Sequence, residues 1–235
     1  MTPYRFEAEI ALADGVPSAV VRERVYDGVR VTAEWPEVLA APEIRVALEV
    51  SGELESRDAP AYVELFFHDV FLLMNLASPG SFGGTISMSG GDLRVRELSF
   101  DARLFAYAAP LATLPLADVI RWYDGLHLGT RQLATDGVAI ALVQLLHLAC
   151  APEREEESIL RLASAADALS LHAPERLGRL REVIARGDAP VIHPMHDEAL
   201  DPRVEDLTRE WIEVADASAR LVIAALQERV KRCAA

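Results

Sequence analysis

The spacing of apolar residues changes near residue 112, and this change constrains the fold more than any other feature of the sequence. Before it, apolar side chains fall on every second position, as at Ile44, Val46, Leu48 and Val50. Such alternation is typical of a strand with one buried face. After Pro115 the apolar residues recur every three or four positions, which is typical of amphipathic helices. A strand-rich part therefore precedes a helical part.

The strand-rich part also contains one helix. Its alternating runs predict five strands, at residues 4–12, 29–35, 44–50, 92–100 and 103–109. The last two are expected to form a hairpin around Asp101. Between the third and fourth runs, the segment AYVELFFHDVFLLMNLAS after Pro60 is too long and too apolar for a strand. We expect it to be a buried helix.

The helical part is expected to form a bundle. The apolar period predicts five helices, at residues 116–127, 132–150, 152–169, 174–184 and 202–233. The sequence therefore predicts an α+β fold in two domains. Residues 1–112 form an antiparallel sheet with one packed helix, and residues 113–235 form an all-α bundle.

Charge and cysteine content restrict the classes of function. The chain has 37 acidic and 23 basic residues, a formal charge of −14. This excess opposes non-specific binding to nucleic acid, although a local basic cleft remains compatible with it. The two cysteines can neither build a disulfide framework nor complete a zinc site alone. We find no sequence motif for a cofactor.

The apolar stretches favour a soluble protein. The N-terminal segment MTPYRFEAEI lacks the basic and apolar regions of a signal peptide. The stretch at 61–77 contains Glu64, His68 and Asp69, and the stretch at 137–150 is too short to span a bilayer. We therefore expect a cytoplasmic protein with no membrane partner.

Two polar features in the strand-rich part have structural interpretations. The run PGSFGGTISMSGG at 79–91 leaves a helix and contains no lysine, so it predicts a turn or hairpin rather than a phosphate-binding loop. His68 and Asp69 lie among apolar neighbours on the predicted helix. Polar residues in such positions are usually hydrogen-bonded in the core or at its boundary.

The segment ARGDAPVIHPMHDE at 185–198 is the main candidate site. One interpretation is a metal site; its ligands would be Asp188, His193, His196, Asp197 and Glu198. These residues lack the helical spacing of an HExxH motif, so we predict no metal here.

A second interpretation of this segment pairs Arg186 with His193. An arginine fork suits a phosphate group, and a histidine can transfer a proton near neutral pH. Together they are the minimum equipment for metal-independent cleavage of RNA. The structural alternative is that Arg186 pairs with a local acid such as Asp188, while His193 ends a turn.

The helical part resembles the HEPN superfamily, compact α-helical domains of prokaryotic defence and toxin–antitoxin systems. The resemblance rests on LRLASAADALSL, then RLREVIARGDAPVIH, then the long closing helix. HEPN ribonucleases carry an arginine and a later histidine just before the last helix, and Arg186 and His193 match them with six residues between. The sequence departs from the pattern at Gly187, where Asn, Asp or His is usual, and at Pro190 and Pro194.

The resemblance implies a homodimer formed through the helical domain, in a bacterial defence or toxin–antitoxin setting. If the chain is an active enzyme, the resemblance implies a metal-independent endoribonuclease that needs no cofactor. Arg186 would stabilise phosphate charge and His193 would carry out acid–base chemistry on an RNA substrate. Many members of the superfamily are inactive, so the alternative is a non-enzymatic dimeric interaction or scaffold protein with a protein partner.

Overall fold

The computed structural model describes residues 3–12, 19–37, 39, 43–90, 93–101, 111–126, 136–150, 155–172, 175–186 and 202–234. The side chains at 93–95, 155–156 and 202–208 are excepted.

The strand-rich part forms one antiparallel six-stranded sheet. The strands are β1 (Tyr4–Leu12), β2 (Glu23–Tyr26), β3 (Val29–Glu34), β4 (Glu43–Ser51), β5 (Gly84–Gly90) and β6 (Leu93–Phe100). Their order across the sheet is β2-β3-β4-β1-β5-β6. The central register pairs Phe6 with Leu48 and Ile10 with Ile44, all of them buried. A slip of one residue would turn this buried set toward solvent, so the alternation fixes the register.

Strands β2 and β5 were not predicted from the sequence. The glycine-rich run supplies β5, which pairs with β6 through a bulge between Met88 and Gly90. Gly90 has φ +150°, and a Cβ there would lie 2.5 Å from the carbonyl oxygen of Arg5. Only glycine allows this close approach of two strands. The strand predicted at 103–109 lies outside the described residues.

The helices are α1 (Ala59–Ala77), α2 (Leu116–Gly125), α3 (Gly137–Cys150), α4 (Glu155–Ala168), α5 (Glu175–Ala185) and α6 (Pro202–Ala234). Helix α1 lies against the sheet and also contacts α2, α3 and α6. It is covered on several sides, which explains why its sequence is apolar almost throughout rather than amphipathic. The predicted α+β fold, with an N-terminal antiparallel sheet, one packed helix and a C-terminal set of helices, is confirmed.

The main apolar core runs from the sheet through α1 into α3, α4 and α6. The side-chain amide of Gln227 on α6 is buried and donates to the carbonyl oxygens of Leu76 at 2.8 Å and Ala112 at 3.0 Å. A smaller apolar cluster joins α4, α5 and α6 around Leu177 and Trp211. The two predicted domains therefore share buried contacts, and their division at residue 112 stays a prediction. None of the described helices is both long and apolar enough to cross a membrane.

Candidate functional site

Arg186 lies directly after the last residue of α5. Its backbone N–H donates to the carbonyl oxygen of Glu182 at 3.1 Å, which continues the helical pattern by one residue. Its side chain is 69% exposed and its Nη2 lies 3.3 Å from Oε2 of Glu182, which is 70% exposed. Exposed pairs of this kind contribute about 0.5 kcal/mol or less. The guanidinium group is therefore free to exchange Glu182 for another anion.

The other residues of the predicted site lie outside the described residues. These are His193, the proposed partner of Arg186, and Asp188, His196, Asp197 and Glu198 of the metal interpretation. The pairing of Arg186 with His193 therefore stays a prediction. In the described part of the chain, no three His, Cys, Asp or Glu side chains are grouped so that they could hold a metal ion.

Helix α5 and Arg186 form a basic surface on an acidic protein. Residues 175–186 contain four arginines and two glutamates, a local charge of +2 in a chain of −14. The four arginines, which we call the α5 arginine surface, are all exposed: Arg176, Arg179, Arg181 and Arg186.

The packing of α5 explains why these arginines face solvent. Leu177 and Leu180 are buried against α4 and α6, so the arginines occupy the remaining sides of the helix. Arg181 pairs with Asp167 at 2.5 Å. Arg176 and Arg179 have no ion pair with any described residue, so their charge is available to a ligand. Arg179 and Arg186 are two helical turns apart on one side, a Cα separation of about 10 Å.

A second group of polar side chains lies between β2, α1 and α2, with Arg24 and Asp69 buried and Asp124 at the surface. We call it the Arg24 cluster: Arg24, Tyr26, Asp69, Tyr123 and Asp124. Arg24 donates from Nε to Oδ2 of Asp69 at 2.9 Å and from Nη1 to Oδ1 of Asp124 at 2.5 Å. The phenols of Tyr26 and Tyr123 donate to Asp69 at 3.0 and 2.7 Å. The Arg24 guanidinium also lies 5.2 Å from the centre of the Tyr123 ring, a cation–π contact.

Burial and the charges within the Arg24 cluster raise the pKa values of Arg24, Tyr26 and Tyr123. Burial alone would lower the pKa of Arg24, but the charges of Asp69 and Asp124 outweigh it, and the pKa is raised above its usual value. Burial, reinforced by the negative charge of Asp69, raises the pKa of both Tyr26 and Tyr123. Arg24 therefore stays charged and the two tyrosines stay neutral near neutral pH, which indicates a structural role rather than proton transfer.

The prediction for His68 and Asp69 is confirmed for Asp69, which is buried and hydrogen-bonded. His68 is intermediate in burial and packs its ring edge-on against Phe100, with ring centres 5.7 Å apart. Burial above all lowers the pKa of His68; the charge of Asp69 opposes this shift and that of His147 adds to it. Sequence reasoning missed Arg24 and Tyr26 because it did not predict β2.

No protein-family model matches the chain, and no curated protein or solved structure is significantly similar to it. The HEPN resemblance therefore rests on the sequence pattern alone and stays a prediction.

Proposed function

We propose that the chain is an HEPN-like cytoplasmic protein of a bacterial defence or toxin–antitoxin system. It binds RNA on the α5 arginine surface and cleaves it without a metal ion or cofactor. The observation that carries this proposal is the local reversal of charge: the segment that ends at Arg186 is positive, while the chain as a whole is strongly negative. The alternative is a non-enzymatic interaction protein, which the net charge favours.

The charge distribution restricts where RNA can bind. A surface with excess carboxylates repels the phosphate backbone, so an RNA strand binds only where arginines outnumber acids locally. Arg176 and Arg179, which lack ion pairs with described residues, contact phosphates along the strand. Arg186 exchanges its exposed contact with Glu182 for the scissile phosphate, since a phosphate accepts two parallel hydrogen bonds from one guanidinium.

The proposed reaction is transfer of the phosphate to the neighbouring 2′-oxygen. His193 accepts the proton of the ribose 2′-hydroxyl as this oxygen attacks phosphorus. The bond between phosphorus and the 5′-oxygen breaks, that oxygen takes up a proton from water, and a 2′,3′-cyclic phosphate remains. Arg186 stabilises the additional negative charge on the phosphate oxygens during the transfer.

A homodimer formed through the helical part belongs to the same proposal. Among the described side chains of α3, α4 and α6, three large apolar ones are exposed, namely Val143, Leu160 and Ile212. Such side chains are available for contact with a second copy. Light scattering coupled to size-exclusion chromatography measures the oligomeric state directly. We expect the mass of two chains, and a monomer at every concentration would contradict this part of the proposal.

The catalytic proposal is tested with purified protein and a labelled single-stranded RNA, with and without EDTA. Arg186→Ala and His193→Ala should each reduce cleavage by roughly 10²–10⁴-fold, and EDTA should have no effect. Arg57→Ala is the matched control, because Arg57 is 77% exposed but lies just before α1 and does not belong to the α5 arginine surface. Cleavage that survives both Arg186→Ala and His193→Ala would refute the assignment.

The same preparation tests the non-enzymatic alternative. A wild-type protein that neither cleaves nor binds RNA would support an interaction protein, as would RNA binding that the double variant Arg176→Ala/Arg179→Ala leaves unchanged without any cleavage. A protein that cleaves RNA and loses affinity in that double variant would exclude it.

A further inference from the structure

The outer face of the sheet carries a groove that is independent of the RNA proposal. Helix α1 packs on the inner face, whereas the outer face bears the exposed members of each alternating strand. The groove has a volume of about 630 Å³ and crosses β3, β4, β1 and β5. Clefts that take up small ligands measure roughly 300–1,000 Å³, so this groove can receive side chains of another molecule. We call it the outer groove.

On either side of the outer groove, neighbouring strands present opposite charges to each other. Arg5 on β1 faces Glu49 on β4 at 3.8 Å. Arg45 on β4 faces Glu9 on β1 at 2.8 Å. Cross-strand pairs of this kind stabilise a sheet and neutralise its surface locally.

Between these two pairs, the row of described side chains on β3, β4, β1 and β5 carries no positive charge. In register across the sheet it reads Glu34, Ala47, Glu7 and Ser89, on β3, β4, β1 and β5. Glu7 and Glu34 are exposed and have no ion pair with any described residue. Ala47 lies between them where the rows on both sides have a long charged side chain. Its small side chain leaves the space that forms the groove.

The spacing of Glu7 and Glu34 fits a single cationic side chain. They lie on the two strands that flank β4, so their Cα atoms are about 10 Å apart. A guanidinium or ammonium group above Ala47 would lie between the two carboxylates and would restore the alternation of charge seen in the neighbouring rows. In the described part of the chain no group of three metal ligands is present, so a side-chain cation fits the groove better than a metal ion.

We propose that the outer groove binds a partner protein through an arginine- or lysine-bearing segment, with one cationic side chain placed over Ala47 between Glu7 and Glu34. The net charge of −14 attracts such a segment over longer distances and accelerates the encounter. The paired residues Arg5 and Glu49 line the groove beside Ala47 and bring polar contacts to the flanking residues of the segment.

The test uses a labelled peptide of arginines separated by glycines, and the same peptide with citrulline in place of arginine. Citrulline keeps the shape of arginine and removes its charge. We expect the full-length protein to bind the arginine peptide and not the citrulline peptide in fluorescence anisotropy. The double variant Glu7→Gln/Glu34→Gln should weaken this binding roughly tenfold or more.

A matched control separates the groove from general acidity. Glu43→Gln/Glu97→Gln removes the same charge from two exposed glutamates on the same face that do not line the groove. We expect this variant to bind the arginine peptide nearly as well as wild type. Equal weakening by the two double variants would overturn the proposal, because the attraction would then come from net charge alone.

A third variant covers the case in which the glutamine substitutions disturb the fold. Ala47→Arg places a guanidinium of the chain itself between Glu7 and Glu34, so it should abolish peptide binding while preserving the melting temperature. Undiminished peptide binding by a folded Ala47→Arg protein would also overturn the proposal, as would a wild-type protein that does not distinguish the arginine from the citrulline peptide.

Discussion

Arg24 and Arg186 are both paired with acids, yet their surroundings are opposite. Arg24 is 8% exposed and is fixed by two carboxylates and an aromatic ring. Arg186 is 69% exposed and has one exposed carboxylate within its own helix as a partner. The first arrangement cannot release its guanidinium without leaving a buried charge, whereas the second can do so at little cost. Burial, rather than residue type, therefore separates a structural arginine from one available to a ligand.

The two arginines also differ in what they hold together. The contacts of Arg24 join β2 to α1 and α2, over sequence separations of 45 and 100 residues. The contact of Arg186 spans four residues. Loss of the first should loosen the junction between the sheet and the helices, and loss of the second should leave the fold unchanged.

The largest expected effect is that of Asp69→Ala. This variant leaves Arg24 buried without its main partner and deprives Tyr26 and Tyr123 of their hydrogen-bond acceptor. We expect the free energy of unfolding to fall by about 3–5 kcal/mol, measured by urea denaturation. Glu182→Ala, at the exposed pair, should change it by about 0.5 kcal/mol or less. Equal losses of unfolding free energy in Asp69→Ala and Glu182→Ala would show that the buried and the exposed ion pair contribute alike to stability.

A double-mutant cycle sharpens the comparison. For Arg24→Ala and Asp69→Ala we expect a coupling energy of about 2–3 kcal/mol, because the two side chains are in buried contact. For Glu182→Ala and Arg186→Ala the corresponding energy should be about 0.3–0.5 kcal/mol. Additive effects at Arg24 and Asp69 would show that their contact is not the source of the stability.

Alkaline titration examines the buried setting without a mutation. In the unfolded chain, tyrosine has its ordinary pKa of about 10. In the native protein, burial and the charge of Asp69 raise the pKa of Tyr26 and Tyr123 above this value. Their contribution to stability is complete below about pH 10 and is lost as the pH rises toward the native pKa. Tyr26 and Tyr123 should form phenolate only when the protein unfolds, as followed by near-ultraviolet absorbance. The control is the variant Tyr26→Phe/Tyr123→Phe, in which the phenolate absorbance that appears on unfolding should be smaller by these two tyrosines.

The smallest effect is expected at His68, which is intermediate in burial. Its native pKa is lowered, chiefly by burial, so the unfolded chain binds a proton near pH 6.5 before the native protein does. Stability attributable to His68 is therefore complete above about pH 6.5 and falls as the pH decreases toward the native pKa. His68→Gln should reduce the loss of stability between about pH 7 and 5. An unchanged pH dependence in this variant would contradict the shift.

The sequence was informative where a local pattern decides the structure. Alternation in β1, β3 and β4 identified the centre of the sheet, and the length of the apolar run identified α1. Strand β2 was missed because Arg24 occupies a buried position of a four-residue strand, and the residues that neutralise it are distant in sequence. Strand β5 was missed because its glycines and serines resemble a loop, and the close approach at Gly90 depends on a different strand.

The same reasoning applies to the candidate sites. Residue type and the position of the motif identified Arg186 as a residue suited to phosphate, and its place directly after α5 agrees with the predicted helix. The charge reversal on α5 is visible in the sequence, although the exposure of its arginines depends on how Leu177 and Leu180 pack. The outer groove could not be predicted, because the row of Glu34, Ala47 and Glu7 exists only once the register of three strands is known.

The contact between α6 and α1 means that the core is complete only after α6 has been synthesised, long after α1. Gln227 binds the carbonyl oxygen of Leu76, which lies 151 residues earlier in the chain. At roughly 5–20 residues per second, a ribosome needs about 8–30 s to reach Gln227 after it has made Leu76. Throughout this time the apolar surface of α1 that α6 later covers remains open to other nascent chains. The yield of folded protein should therefore depend on the rate of translation and on chaperones that hold unfinished chains.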